Sequence, residues 1–174
     1  MKLDYLYRGL PGHPLHPPLT DATIGTYTFA TICAFLDVLG ISEDAAATGF
    51  ALGLVVGLVL TVPTALTGFA DWLQLERGTP LFRTATAHLF AMVSATVLFL
   101  LAAAIGYSDA MDGVIEAAPF VLALAGFLVL STGGWLGGSI VYVHGMRVLN
   151  LVDEPARLAA APVPTPEKEE AAKS

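Results

Sequence analysis

The sequence predicts an all-α integral membrane protein, a four-helix bundle with both termini in the cytoplasm. Composition is the first reason. Of 174 residues, 55% are hydrophobic and 13% charged, and the mean hydropathy is +0.70. A soluble domain carries about a quarter charged residues, so a water-soluble sphere of this composition would aggregate. The second reason is a set of long uncharged runs. The third is that every basic residue falls on one side of the resulting topology.

Ala45–Ala70, Thr84–Ser108 and Ala117–Met146 are free of Asp, Glu, Lys and Arg over 26, 25 and 30 residues. Each exceeds the roughly 20 helical residues that cross a hydrocarbon core. The first span is less plain, because Ala22–Leu36 gives only 15 uncharged residues between Asp21 and Asp37. With Asp37 near a helix end, 19–39 makes a full crossing. The expected spans are therefore 19–39, 47–73, 84–107 and 118–144. Residues 1–18 form an N-terminal interfacial segment, with Tyr5 and Tyr7 at headgroup depth. Residues 149–174 form a cytoplasmic tail whose Pro155, Pro162, Pro164 and Pro166, mixed with Lys and Glu, cannot make a core.

Lys2 and Arg8 precede the first span, Arg77 and Arg83 lie between the second and third, and Arg147, Arg157, Lys168 and Lys173 follow the fourth. The other side holds Glu43, Asp44, Asp109, Asp112 and Glu116 and no base. The positive-inside rule then places both termini and the 2–3 loop on the cytoplasmic side of the plasma (inner) membrane. No cleavable signal peptide is visible, and the first span serves as its own insertion signal. The net charge of −7 leaves no surface for nucleic acid. The single cysteine, Cys33, excludes an intrachain disulfide, a four-cysteine metal site and C-x-x-C-H haem attachment.

Gly49, Gly53 and Gly57 repeat at four-residue spacing, as do Gly133 and Gly137, and Gly134 and Gly138. Such spacing lets helix backbones approach closely, and in lipid that contact replaces the hydrophobic drive. Pro63 is expected to kink the second span and free a carbonyl.

All four histidines, His13, His16, His88 and His144, fall toward the cytoplasmic face of this topology. His13-Pro14-Leu15-His16-Pro17-Pro18 reads as a stiff extended strap leading into the first helix, with Pro17 or Pro18 in its first turn. His16 then lies against the positive helix end, which favours the neutral imidazole a metal needs. The plainer reading is a proline-rich cap with interfacial histidines. His88 is the one histidine well inside a span, where an ionisable group faces the bundle interior and has a partner. It is a ligand or proton carrier, or it is hydrogen-bonded to a neighbouring helix. His144 ends a stripe running back through Gly137 and Gly133 or Gly134, a groove for a flat macrocycle or for another helix. Asp71, with Gly68, Thr64, Thr61 and Gly57 behind it, either holds a histidine in one tautomer or pairs with Arg77 or Arg83. Asp21 reads as a first-turn acid capping helix 1. Trp72, Trp135 and Tyr142 read as belt and packing aromatics. A shift of 72 positions takes His16 to His88 and Asp37 to Asp109, a hydropathy-level repeat about the membrane normal.

These residues carry a family resemblance. Gly12-His13-Pro14-Leu15-His16-Pro17, Thr67-Gly68-Phe69-Ala70-Asp71-Trp72, His88, Gly133-Gly134-Trp135-Leu136-Gly137-Gly138 and His144-Gly145 occur in that order. Over residues 10–148 the chain resembles the bacterial and archaeal membrane proteins grouped as domain-of-unknown-function family 2231. The resemblance implies a four-span domain. Some relatives are joined to Rieske-type iron–sulfur domains, which implies redox chemistry, here with a separate electron-transfer partner.

Three functions follow as expectations. The first is a redox or electron-transfer protein holding a b-type haem, or iron, copper or zinc, in the inner half of the bundle. His88 and His144 lead as ligands, with His16 and His13 as alternatives or a second site, and Gly134 and Gly137 against the cofactor. A non-haem variant uses His16, His88, His144 and Asp71. The second is an ion- or proton-coupled transporter using Asp37, Asp71 and His88. The third is a structural subunit of a membrane complex or a homo-oligomer. No soluble-enzyme motif is present.

Overall fold

A computed structural model describes residues 9–10 and 13–148. The expected positions of Tyr5, Tyr7 and the 149–174 tail lie outside the described residues. The chain starts with a minimal antiparallel ladder, β1 (Gly9–Leu10) against β2 (His13–Pro14), pairing Gly9 with Pro14 and Leu10 with His13. Gly9 has φ +80°, and a Cβ there would stand 2.2 Å from the His13 carbonyl oxygen, so this strand position requires glycine. The first part of the His-Pro strap is thus the second strand of a hairpin.

Four helices follow: α1 (His16–Val38), α2 (Glu43–Trp72), α3 (Pro80–Met111) and α4 (Ala117–Tyr142). Pro17 and Pro18 occupy the first turn of α1, where a missing N–H leaves no helical bond unmade. Asp21 is exposed and lies beyond that turn, because the helix begins at His16, earlier than expected; its capping role is therefore lost. Glu43 and Asp44 stand in the first turn of α2, favourable against the positive helix end. Thr79 caps α3, its side-chain oxygen accepting from the Phe82 N–H at 3.1 Å, with Pro80 next. Gly40 (φ +70°) and Gly113 (φ +91°) follow the ends of α1 and α3 in the left-handed conformation that stops a helix.

α2, α3 and α4, of 30, 32 and 26 residues, are long and apolar enough to cross a membrane. Many of their large apolar side chains point outward, among them Val59, Val62, Leu66, Phe90 and Leu128. Outward apolar faces on three such helices suit lipid rather than water. α1, with Thr20, Asp21, Thr23, Thr26, Thr28, Thr31 and Asp37, is more polar, and its inward hydroxyls meet α2.

The glycines set the helix pairs. A Cβ on Gly49, Gly53 or Gly57 would come within 2.8, 2.9 or 2.5 Å of Cys33 Sγ, Ala30 Cβ or Tyr27 Cε1, so these three lie in the α1–α2 seam. Gly106, Gly126 and Gly133 lie in the α3–α4 seam, against Pro119, Phe99 and Met92. Alanines complete the core around Tyr27, Phe50, Leu54, Phe99 and Leu130. Small residues at the interface let van der Waals contact hold the pairs.

The two hairpins repeat one another. A shift of 72 carries the buried Thr23, Tyr27, Ala30, Thr31 and Ala34 of α1 to the buried Ala95, Phe99, Ala102, Ala103 and Gly106 of α3. A shift of 69 carries Phe50, Leu54, Gly57 and Thr64 of α2 to Pro119, Ala123, Gly126 and Gly133 of α4. Burial thus repeats in register at these positions of both halves.

Candidate functional site at the histidine end of the bundle

α1 and α3 begin, and α2 and α4 finish, at the same end of the bundle, and His16, His88 and His144 are there. His16 is the first residue of α1, and His88 lies two turns into α3. Their ring centres are 6.5 Å apart and their planes cross at 87°, an edge-type arrangement. Both side chains are half-buried.

Each ring is fastened through Nδ1 in the same way. His16 Nδ1 lies 3.0 Å from the Thr64 carbonyl oxygen on α2, and His88 Nδ1 lies 2.8 Å from the Gly133 carbonyl oxygen on α4. A carbonyl only accepts, so both Nδ1 atoms carry a proton, and in the neutral ring each Nε2 keeps its lone pair. Thr64 and Gly133 are counterparts under the 69-position shift. So are the glycines on which the rings lie: a Cβ on Gly68 would meet His16 Cε1 at 2.5 Å, and one on Gly137 would meet His88 Cε1 at 3.2 Å. Each half therefore supplies one imidazole, one carbonyl and one clearance glycine.

The surroundings differ between halves. His16 Nδ1 also has Thr67 Oγ1 at 3.3 Å. Thr20 Oγ1 lies 3.4 Å from His16 Nε2 but donates its proton to the His16 carbonyl at 2.9 Å, leaving the ring nitrogen's lone pair free. Deeper in the bundle, Thr23 Oγ1 meets Thr64 Oγ1 at 2.9 Å and Tyr27 Oη meets Thr61 Oγ1 at 2.9 Å. The counterparts of Thr20, Thr23, Tyr27 and Thr61 in the second half are Met92, Ala95, Phe99 and Leu130. The hydroxyl ladder belongs to the first hairpin alone, and it ends at Tyr27, whose ring stacks on Phe99 at 4.0 Å.

The other sequence-selected residues have other partners. His144 Nε2 lies 3.1 Å from Thr84 Oγ1. Asp71, buried at the end of α2, forms an ion pair with Arg147 rather than with Arg77 or Arg83. His13 is exposed on the hairpin. Trp72 stacks between Phe69 and Phe82 and donates to Thr86 Oγ1 at 3.0 Å, while Trp135 and Tyr142 are exposed. Gly133 and Gly137 are covered by Met92 and His88, so the groove between them holds helix α3. A Cβ on Gly134 would meet only Ile24 Cδ1 at 3.8 Å, and one on Gly138 only Tyr142 of its own helix at 3.9 Å. Among the described residues no three His, Cys, Asp or Glu side chains converge as a metal cage. Sequence reading missed Arg147 as the partner of Asp71, and it missed Tyr27; Thr67 entered only as part of the Thr67–Trp72 motif, with no contact to His16 assigned to it.

No curated protein and no solved structure matches the chain. A family model described as a predicted membrane protein, DUF2231, matches residues 12–150, so the chain belongs to that family of membrane proteins.

Proposed function

We propose that the protein is a plasma-membrane electron-transfer protein that holds one b-type haem between His16 and His88. In this reading α1 is the fourth span and both termini lie inside. The observation that carries it is a pair of imidazoles with centres 6.5 Å apart, each with Nδ1–H given to a helix carbonyl. A carbonyl on the far nitrogen fixes the tautomer and raises the basicity of the near one, the usual support for a metal-bound histidine. The spacing fits as well. Two imidazoles opposite one ion have ring centres about 6.4 Å apart, taking about 2.1 Å per metal–nitrogen bond and roughly 1.1 Å from nitrogen to ring centre; the pair stands at 6.5 Å.

Ligand number favours haem over a bare ion. A bare zinc, copper or iron ion takes three or four protein ligands, whereas haem iron needs only two axial ones. When bound, haem would supply one-electron chemistry, and two imidazoles would leave iron no open position for oxygen. His144 and Asp71, engaged with Thr84 and Arg147, then support the fold around the pair. The transporter reading loses its path where the hydroxyl ladder stops at the Tyr27–Phe99 stack. The open glycines 134 and 138 on α4, beside the exposed Trp135, favour a docking face for a membrane partner or a second copy. An electron partner of the Rieske type belongs to the same proposal. The test is a visible spectrum and iron analysis of protein purified in mild detergent. A Soret band with one iron per chain supports haem, and a colourless, iron-free protein that takes up no added haem b overturns it.

A further inference from the structure

We infer that residues 143–148, which follow α4, are a lid over the histidine end of the bundle, and that the Asp71–Arg147 ion pair is its latch. The inference goes beyond the haem reading and holds whatever the two histidines bind. Its basis is where the lid is tied. His144 Nε2 lies 3.1 Å from Thr84 Oγ1 on α3, and Arg147 pairs with Asp71 on α2. Thr84 is four residues before His88, and Asp71 is four after Thr67 and three after Gly68. Residues three or four apart share a helix face, so each anchor stands above one of the two rings: Thr67 and Gly68 are the α2 residues against His16. α2 finishes and α3 begins at this end, which puts both anchors about 5.4 Å, one turn, nearer the end than the rings. The segment joining them runs from α4 past α3 to α2, across the His16 and His88 side chains.

The backbone makes that path. Gly145 N–H still reaches the Val141 carbonyl at 3.0 Å, so the segment starts as a continuation of α4. Gly145 (φ +66°) and Arg147 (φ +62°) then turn it in the left-handed conformation that ends helices. The internal repeat shows what is special here. Under the 69-position shift 143–148 correspond to 74–79, the loop from α2 into α3, and Arg147 corresponds to Gly78, also left-handed at φ +85°. That loop is held by a helix at each end. The lid is held at its far end by an ion pair. Asp71 is buried, so its carboxylate needs the guanidinium, while the Arg147 side chain stays partly open to water and can be released. The His144–Thr84 bond is the weaker, uncharged tie.

The test is access to the rings. Full-length protein from metal-limited cells, in mild detergent, is treated with diethyl pyrocarbonate, which carbethoxylates a free imidazole nitrogen, and each histidine is followed by mass spectrometry. His13, exposed on the hairpin, is the reference for an open site, and the buried Cys33 thiol, probed in parallel, reports unfolding. In wild type His13 should react fast, and His16 and His88 slowly. Arg147→Ala should speed His16, His88 and His144 about fivefold or more, the effect of losing one hydrogen bond to a charged group, with Cys33 still unreactive. Asp71→Asn, which removes the other half of the latch, should do the same. Thr84→Val should have a smaller effect, and Arg147→Lys, which keeps the charge, should stay near wild type. Wild-type His16 and His88 as reactive as His13 overturn the lid, whatever the variants do. Latch variants that free His144 alone, that leave all three rates unchanged, or that expose Cys33 together with the histidines overturn it as well. Failure of the same wild-type protein to take up added haem b overturns the haem reading and leaves the lid standing.

Discussion

Tyr27 stacks on Phe99 with ring centres 4.0 Å apart and planes 5° from parallel. These residues stand in the same 72-position relation as His16 and His88. The two contacts join α1 to α3 between the hairpins, one at the bundle end and one in the core. The repeat is one of shape, since Tyr27 carries a hydroxyl bonded to Thr61 and Phe99 carries none. In the proposed haem site one imidazole would come from each half.

The glycine seams predict a contrast in stability. Gly57→Ala would drive a Cβ to 2.5 Å from the Tyr27 ring, whereas Gly134→Ala meets an ordinary contact at 3.8 Å. Overpacking of this kind costs about 1–3 kcal/mol. Thermal unfolding in one detergent should show Gly57→Ala clearly destabilised and Gly134→Ala close to wild type. Equal effects would mean that the seam relaxes freely.

The hydroxyl ladder predicts modest glue. Thr23 and Thr64 each reach a carbonyl one turn back and also each other. Two hydroxyl protons serve three contacts, so the interhelical bond competes with the local ones. A double-mutant cycle with Thr23→Val and Thr64→Val should give a coupling of about 0.6 kcal/mol, typical of interhelical hydrogen bonds in membranes. A coupling of zero would show that both protons stay on their own helices.

The Asp71–Arg147 pair ties the chain after α4 to the end of α2. Arg147 adopts φ +62°, unusual for a residue with a side chain. Arg147→Ala leaves a buried carboxylate unpartnered and should cost about 1–3 kcal/mol. Adding Asp71→Asn to that variant should recover part of the loss in a melt. No recovery would place the effect in the backbone rather than in the charge.

The four-span topology predicts a labelling pattern. In a Cys33→Ala background, single cysteines replacing Leu15 and Arg77 should react with an impermeant thiol reagent only from the cytoplasmic side. One replacing Ser42 should react only from outside. Leu15 and Ser42 labelling from the same side would show that α1 does not cross.

Much of this architecture was legible in the sequence. Charge-free runs located α2, α3 and α4, and the bases plus Asp37 located α1, with ends displaced by a few residues where Pro17, Pro80 and Glu43 start helices early. The packing role of Gly49, Gly53 and Gly57 was legible from spacing alone. The repeat was half-legible. One fixed shift of 72 aligns α1 with α3 but misses α2 and α4, because equivalent positions of the paired helices lie three residues closer along the chain in the second half; the His16–Thr64 and His88–Gly133 bonds accordingly span 48 and 45 positions. The partner of His88 was not legible, since pairing across the bundle depends on helix rotation and not on chain distance. The partner of Asp71 was hidden for a related reason: Arg147 comes back through a turn that charge counting does not see.

The haem proposal assigns His16 and His88, and not His144, as the ligands. The direct measurement is the reduced-minus-oxidised visible spectrum and the iron content of wild type beside His16→Ala, His88→Ala and His144→Ala, purified identically. The account predicts a haem spectrum in wild type and His144→Ala, and its loss or conversion to a high-spin form in His16→Ala and His88→Ala. A spectrum that survives removal of His16, or that disappears only with His144, contradicts it.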